Sequence, residues 1–449
     1  MADAELPPVE AGNQAAEALG GGGDGGPDGG GPGGTRSRWA ARLALPPLDV
    51  PGARALFAAS AIDAVGTGMV ISFLLLYLTR VAGISLGTAG LALSASSGVA
   101  LAANPIAGSL LDRVGARPML IVSQVLGTLG FLGLLLVESV PVLIAASFLI
   151  SLGERIFWVG FPGVVVGMAR TEERDRWFAF AGMLREAGIG TGALLAGLIV
   201  WLLGHTGYTV LMVANALSFV GAGTLIALRV PRSTPSLDSE TDAGGWRELL
   251  RSRAVVMMAT ANTAVIFCIM LTVLTLPIYA VDVLDQGEWL PGVLLGINTV
   301  VLAAGQTVVL RIVGGWRRTR VLALASGIWI VAAIAFAGAL GVPDRLILPY
   351  LVGSVVLAAL GDTLHGQMTL GLATALAPAG LQGRAIALFS LSWGVARTVA
   401  PSMVAGLLAM GAAGPWALVV AFALAGAAVA ITAEPHIAPE RLRFPEFRR

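Results

Sequence analysis

The 449-residue chain contains no lysine, one cysteine and three histidines, and 12% of its residues are charged, roughly half the level of ordinary soluble domains. Each scarcity excludes something. Without lysine there is no phosphate-binding loop of the G-x-x-x-x-G-K-[ST] kind, so nucleotide-driven work through such a loop is ruled out. A lone cysteine, Cys268, allows neither an intrachain disulfide nor a cysteine-built zinc site. His205, His365 and His436 lie far apart and lack metal-ligand spacing. The 28 arginines nearly cancel 27 acids, which leaves no broad basic field for a nucleic acid. Neither metal, cofactor nor nucleic-acid partner is expected.

What the chain has instead is apolar length. Hydrophobic residues make up 56% of it, and its mean hydropathy is +0.83, values that exclude a water-soluble globule. About 20 consecutive apolar residues carry a helix across the hydrocarbon core. Twelve such runs are present, over 55–79, 86–110, 118–137, 140–168, 177–203, 207–228, 254–280, 290–312, 321–341, 346–376, 384–410 and 414–432. They do not alternate apolar with polar, so membrane strands are excluded. The expected fold class is an all-α integral membrane protein of twelve transmembrane helices.

Residues 1–54 read as a tail, Gly-rich and acidic at first, then basic, with too little apolar surface to order itself and no secretory-signal pattern. The longest interior break, 229–253, separates two six-helix bundles over 55–228 and 254–432, and 433–449 forms a second tail. Arginine distribution sets the expected orientation. With the tail inside, the inside segments hold 23 arginines and the opposite loops two, Arg80 and Arg345, while Arg155, Arg185 and Arg397 fall within apolar runs. Both termini are therefore expected on the cytoplasmic side.

The halves also look duplicated. Leu152-Gly153-Glu154-Arg155 reappears 208 positions later as Leu360-Gly361-Asp362-Thr363, and Tyr77 matches Tyr279 at an offset of 202. A near-constant offset over several runs predicts two pseudo-symmetric six-helix halves.

One break carries a motif. After the second run the chain reads Gly108-Ser-Leu-Leu-Asp112-Arg113-Val-Gly115-Ala-Arg117. This closely resembles the loop 2–3 signature of the major facilitator superfamily, G-x-L-x-D-R-x-G-R-[RK], with Ala116 in place of one basic residue. Twelve spans and a halfway loop agree with that family, and the resemblance covers about 55–432. It implies the family fold and carriage of a small organic solute by alternating access. Gly108 suits close helix contact, Gly115 a tight turn, and Asp112 a helix N-terminus. In the family the matching Asp helps hold one state near the start of the eleventh span, so the resemblance makes Asp112 with Arg384 the expected latch. A solvated positive loop is the plainer alternative.

Charges within the apolar runs need partners or a wet cavity, since each costs roughly 2.5–3.5 kcal/mol at the bilayer centre. These are Asp63, Glu154, Arg155, Arg185, Glu186, Asp362, His365 and Arg397, the candidates for substrate binding or ion coupling. Ion pairs that only brace helices are the alternative for each. Asp63 resembles protonatable first-span acids of drug/proton antiporters, and Arg155 lies where many family members carry an arginine linked to proton coupling. Glu154 and its repeat mate Asp362 are expected to face each other across the pseudo-two-fold axis. Asp362 and His365, spaced i, i+3, share a helix face, and a His beside an acid can relay a proton. Arg185 and Glu186 are adjacent and cannot point the same way, and Arg397 suits an anionic group or an acid. Gly188-Ile-Gly190-Thr-Gly192 loosely resembles the family's antiporter motif.

What the resemblance and these charges imply is a proton-coupled secondary transporter in a bacterial cytoplasmic membrane, surrounded by lipid, acting as a monomer and favouring drug or metabolite efflux. Proton-coupled import of a nutrient or organic anion is the alternative. A polytopic membrane enzyme is disfavoured by the scattered histidines, and a transport-dead receptor remains a third class.

Overall fold

The computed structural model of the chain describes residues 48–102, 114–170, 173–232, 244–313, 316–377, 381–439 and 442. Gly108, Asp112 and Arg113, and nearly all of the expected first tail, lie outside the described residues. Among the described residues there is no strand.

The first run forms two helices, α1 (Ala53–Ile71) and α2 (Leu74–Arg80). Next come α3 (Leu86–Ala102), α4 (Ala116–Leu134), α5 (Val140–Met168), α6 (Arg174–Leu203) and α7 (His205–Arg229). The expected inter-half break carries a short helix, α8 (Gly244–Arg251). Beyond it run α9 (Arg253–Ile278), α10 (Leu290–Val313), α11 (Arg318–Gly338), α12 (Asp344–Leu376), α13 (Gln382–Met410) and α14 (Gly414–Ala433). Ten described helices are long and apolar enough to cross a bilayer, and shorter apolar stretches at Leu86–Leu101 and Leu290–Gly305 occupy the second and eighth runs. Helices rather than strands follow because a bilayer core offers backbone groups no water, and only local i→i−4 bonding satisfies long apolar segments one at a time.

Two local features follow from glycine. Gly204 alone separates α6 from α7, at φ 55°, a left-handed conformation that costs glycine nothing. Gly115, the turn residue expected from the motif, precedes α4 at φ 83°. The departure from the sequence reading is α8, expected as polar linker. Leu249 is fully buried against Val255 and Met258 of α9, and this anchor orders the short segment.

Within the first half α1 packs on α6 and α7, α4 on α5 and α7, and α3 on α5. In the second half α9 packs on α13 and α14, α11 on α12 and α14, and α10 on α12. The two sets meet along α3 with α13 and along α6 with α10. Helix α6 is squeezed between both partners. A Cβ on Gly192 would meet the Val65 carbonyl of α1 at 2.0 Å, and one on Gly190 would meet Thr299 of α10 at 2.4 Å. The glycine run that resembles an antiporter motif is thus where the backbone of α1 and the Thr299 side chain of α10 both approach α6 closely.

Duplication is visible in the bonding. Tyr77 Oη donates to the Leu134 carbonyl at 3.0 Å, and Tyr279 Oη donates to the Phe336 carbonyl at 2.9 Å, each across 57 residues. Both ends of the second bond lie 202 positions beyond those of the first. The two halves therefore tie equivalent helices together with the same hydrogen bond.

Candidate functional site

The intramembrane charges assemble in three groups. In the first half, Asp63 of α1 is 5% exposed, and Arg185 Nη1 of α6 lies 3.7 Å from its carboxylate. The same guanidinium lies 4.8 Å from the ring centroid of Trp158 on α5, a cation–π contact that helps offset the charge's desolvation. Gln124 of α4 also approaches the Asp63 carboxyl. Arg185 is thereby held by two neighbours, and the adjacent Glu186 is exposed.

The second group crosses between halves. Glu154 of α5 forms an ion pair with Arg397 of α13. Arg155 donates to the Gly394 carbonyl of α13 at 3.4 Å and to Ser97 Oγ of α3 at 3.5 Å. Nearby on the same seam, Ser97 Oγ lies 3.1 Å from Thr398 Oγ1. Glu154, which repeat equivalence expected to face Asp362, has a guanidinium on α13 as its ion-pair partner, as suits an acid in low dielectric, which a cation stabilises.

The third group is mostly neutral. His365, one turn beyond Asp362, is 3% exposed, and its Nε2 lies 3.0 Å from Asn262 Oδ1. Asn262 Nδ2 donates to Ser392 Oγ at 3.0 Å and to the Phe389 carbonyl at 3.3 Å, and Ser392 Oγ lies 2.8 Å from Thr263 Oγ1. A polar chain thus joins α12, α9 and α13. Asp362 itself lines a narrow, largely apolar cavity, together with Thr272, Asn298 and Trp329 of the second half and Ser72 of the first. Its empty space is about 490 Å³, part of it open to solvent. Among the described residues, Thr272 Oγ1 and Trp329 Nε1 are buried there without a hydrogen-bond partner.

A fourth cluster was not singled out from sequence. Arg80, at the end of α2, pairs with both Asp282 and Glu288, and Tyr208 lies beside Glu288. An apolar layer supports this clamp, with Tyr77 and Leu78 of α2 packed in one core with Ile278 and Val281. The signal was present, because Arg80 and Asp282 are 202 positions apart, the offset of Tyr77 and Tyr279. Opposite charges at equivalent repeat positions meet where the two halves meet. At the other end of the helices, Glu434 accepts from Arg317 and from Thr319 Oγ1 at 2.8 Å, fastening the end of α14 to the start of α11.

Of the loop-motif residues, Arg117 donates to the Ala227 carbonyl of α7, so it anchors α4 to α7. Arg384 lies in the first turn of α13, and its expected partner Asp112 is outside the described residues. Among the described residues no group of three or more His, Cys, Asp or Glu is arranged to hold a metal.

Comparison with known proteins agrees with this architecture. The family model described as Major Facilitator Superfamily matches residues 56–401. Multidrug resistance protein MdtH of Cronobacter sakazakii is 28% identical over 179 residues, 40% of this chain and 44% of that protein. The chain thus spans less than half the length of that relative. The uncharacterized MFS-type transporter YqjV of Bacillus subtilis is 25% identical over 315 residues, 67% of this chain and 75% of that one. Among solved structures, a peptide transporter POT in complex with sulfate superposes with a TM-score of 0.64 at 19% identity, covering 87% of this chain and 95% of that one. The nucleoside transporter NupG, in a mutant form, gives 0.67 at 12% identity, covering 86% and 100%. A multi-pass helical bundle built from two six-helix halves, matched by the family model over most of its length, belongs to the Major Facilitator Superfamily.

Proposed function

We propose that the protein is a secondary active transporter that moves a small organic solute by alternating access, coupled to protons and running as an exporter. The observation that carries this reading is the set of contacts between halves. Glu154 with Arg397, and Arg155 with Gly394, tie α5 to α13, while Asp362 of α12 lines a largely apolar cavity. Salt links can be exchanged as the halves rock, and an acid held in low dielectric takes up a proton readily. In this reading, the Arg80 clamp closes one end of the passage. With arginine bias placing Arg80 outside, the described conformation is closed to the outside, and the termini are cytoplasmic. Similarity to the multidrug resistance protein MdtH favours export, and the protein acts as a carrier rather than a catalyst, as a monomer in a bacterial cytoplasmic membrane.

Transport by the purified protein in proteoliposomes under an imposed pH gradient tests this. Solute movement is expected to collapse with an uncoupler and to fail in Glu154→Gln and Asp63→Asn variants that still insert. Undiminished transport in both variants overturns the site, and gradient-independent transport overturns the coupling. The second reading is import by symport, favoured by the peptide and nucleoside transporters among the structural neighbours. The direction of gradient that drives accumulation separates the two.

A further inference from the structure

The molecule has a second organised feature that the transport reading does not use. Helix α8 (Gly244–Arg251) is short and amphipathic in an unusual way. Leu249 is fully buried and pins the helix to α9, while Trp246 and Leu250, spaced i, i+4, are 38% and 54% exposed. Arg247 and Arg251, also spaced i, i+4 and so on one helix face, are exposed, as is Arg253 at the start of α9. None of the three joins an ion pair among the described residues, and Glu248 offsets one of their charges.

Leu250 also forms the mouth of a crevice between α9 and α13. The crevice is walled by Val256, Thr260, Leu388 and Leu391, holds about 500 Å³ of empty space partly open to the surroundings, and is floored by Thr263 and Ser392. Arg251 follows Leu250 directly, and Arg253 precedes Val256 by less than one helical turn, so both arginines lie within reach of the mouth along the chain. An exposed tryptophan, arginines close to it in the chain and a mostly apolar slot form a composite that suits one kind of molecule.

We propose that this crevice binds an anionic phospholipid, with its phosphate on Arg247, Arg251 and Arg253 and one acyl chain between α9 and α13. Charge complementarity selects the occupant. A zwitterionic lipid brings its own cation beside the phosphate and so compensates the arginines less, and a free phosphate leaves the slot empty and Trp246, Leu250 and Leu391 in contact with nothing suited to them. The chain end meets the Thr263–Ser392 pair, which is bonded through Asn262 to His365, so lipid site and intramembrane site share side chains.

The test uses the full-length protein, stripped of lipid in detergent and titrated with phosphatidylglycerol or with phosphatidylcholine of the same acyl chains while bound copies are counted by native mass spectrometry. A phosphatidylglycerol with a photoreactive chain locates the site. The tightest phosphatidylglycerol copy is expected to bind at least about tenfold more strongly than phosphatidylcholine, and to label α9 and α13. The triple variant Arg247→Gln, Arg251→Gln, Arg253→Gln is expected to lose that preference. Thr260→Trp, which fills the slot and keeps every arginine, is expected to abolish the label. Equal affinity for the two lipids, a preference that survives the triple variant, labelling elsewhere, or full displacement by glycerol phosphate at equal concentration each overturns the proposal. Should the triple variant fail to fold, Thr260→Trp and the glycerol phosphate competition decide it.

Discussion

The two halves share a scaffold and differ in what they carry at mid-membrane. The tyrosine bond is the same in both, Tyr77 to Leu134 and Tyr279 to Phe336. The equivalent positions one level deeper have diverged. Glu154-Arg155 on α5 reach across to α13, whereas Asp362-Thr363 on α12 do not copy them. Thr363 Oγ1 turns back to its own helix and bonds the Ala359 carbonyl at 2.7 Å. Beside it the second half builds a neutral chain of His365, Asn262, Ser392 and Thr263. Hydrogen bonds that set helix spacing have little freedom to vary, because an unsatisfied buried group is costly. Charges that face a passage are free to change once the fold is secure, so the first half concentrates charge and the second half neutral hydrogen bonding.

Four measurements break or sharpen that contrast. The largest effect is expected for Glu154→Gln, which strips Arg397 of its counter-charge in a site only partly open to water. Transport should fall by tenfold or more and stability by about 1 kcal/mol. The exchanged pair Glu154→Arg with Arg397→Glu should recover much of both, and an inert Glu154→Gln would mean that the charged seam is ornamental. Next is Arg80→Gln. An ion cluster this exposed is worth about 1 kcal/mol, enough to shift the balance of conformations several-fold. Spin labels on Ser85→Cys and Gln286→Cys report it, since the native Cys268 is buried, and the label pair should gain a longer-distance population. An unchanged distance distribution would show that the apolar layer alone holds this end closed.

Third, Tyr77→Phe and Tyr279→Phe should cost about 1 kcal/mol each, and equally. Thermal unfolding of the two variants compares them directly, and a marked inequality would contradict the shared scaffold. The smallest effect belongs to Thr363→Val, whose hydroxyl serves only its own helix. It should change stability by less than about 0.5 kcal/mol and leave transport intact, while Arg155→Ala, its repeat counterpart, should impair transport. Parity between those two variants would erase the proposed division of labour.

Much of this was legible from the chain itself. Apolar length announced helices: ten of the runs correspond to described helices long enough to cross a bilayer, and the second and eighth to shorter apolar stretches. The offset linking Tyr77 to Tyr279 pointed to a duplication that the bonding repeats. Pairing was less legible. Asp63 with Arg185 required knowing that α1 lies against α6, and Glu154 with Arg397 that α5 meets α13. Repeat equivalence suggested Glu154 opposite Asp362, but symmetry relates positions, whereas electrostatics selects partners of opposite sign. The Arg80 cluster was hidden because its arginine counted only as loop charge, and α8 because eight residues are too few for periodicity to stand out against a polar linker.

Composition and apolar run length determined by themselves that this is a helical membrane protein with repeated halves, since a bilayer core forces every long apolar segment to satisfy its own backbone. Which buried charge meets which, where the arginine clamp closes and that a slot opens beside α8 were decided only in three dimensions. Those outcomes depend on helix faces brought together from residues a hundred or more positions apart, and no local rule of chain chemistry encodes such neighbours.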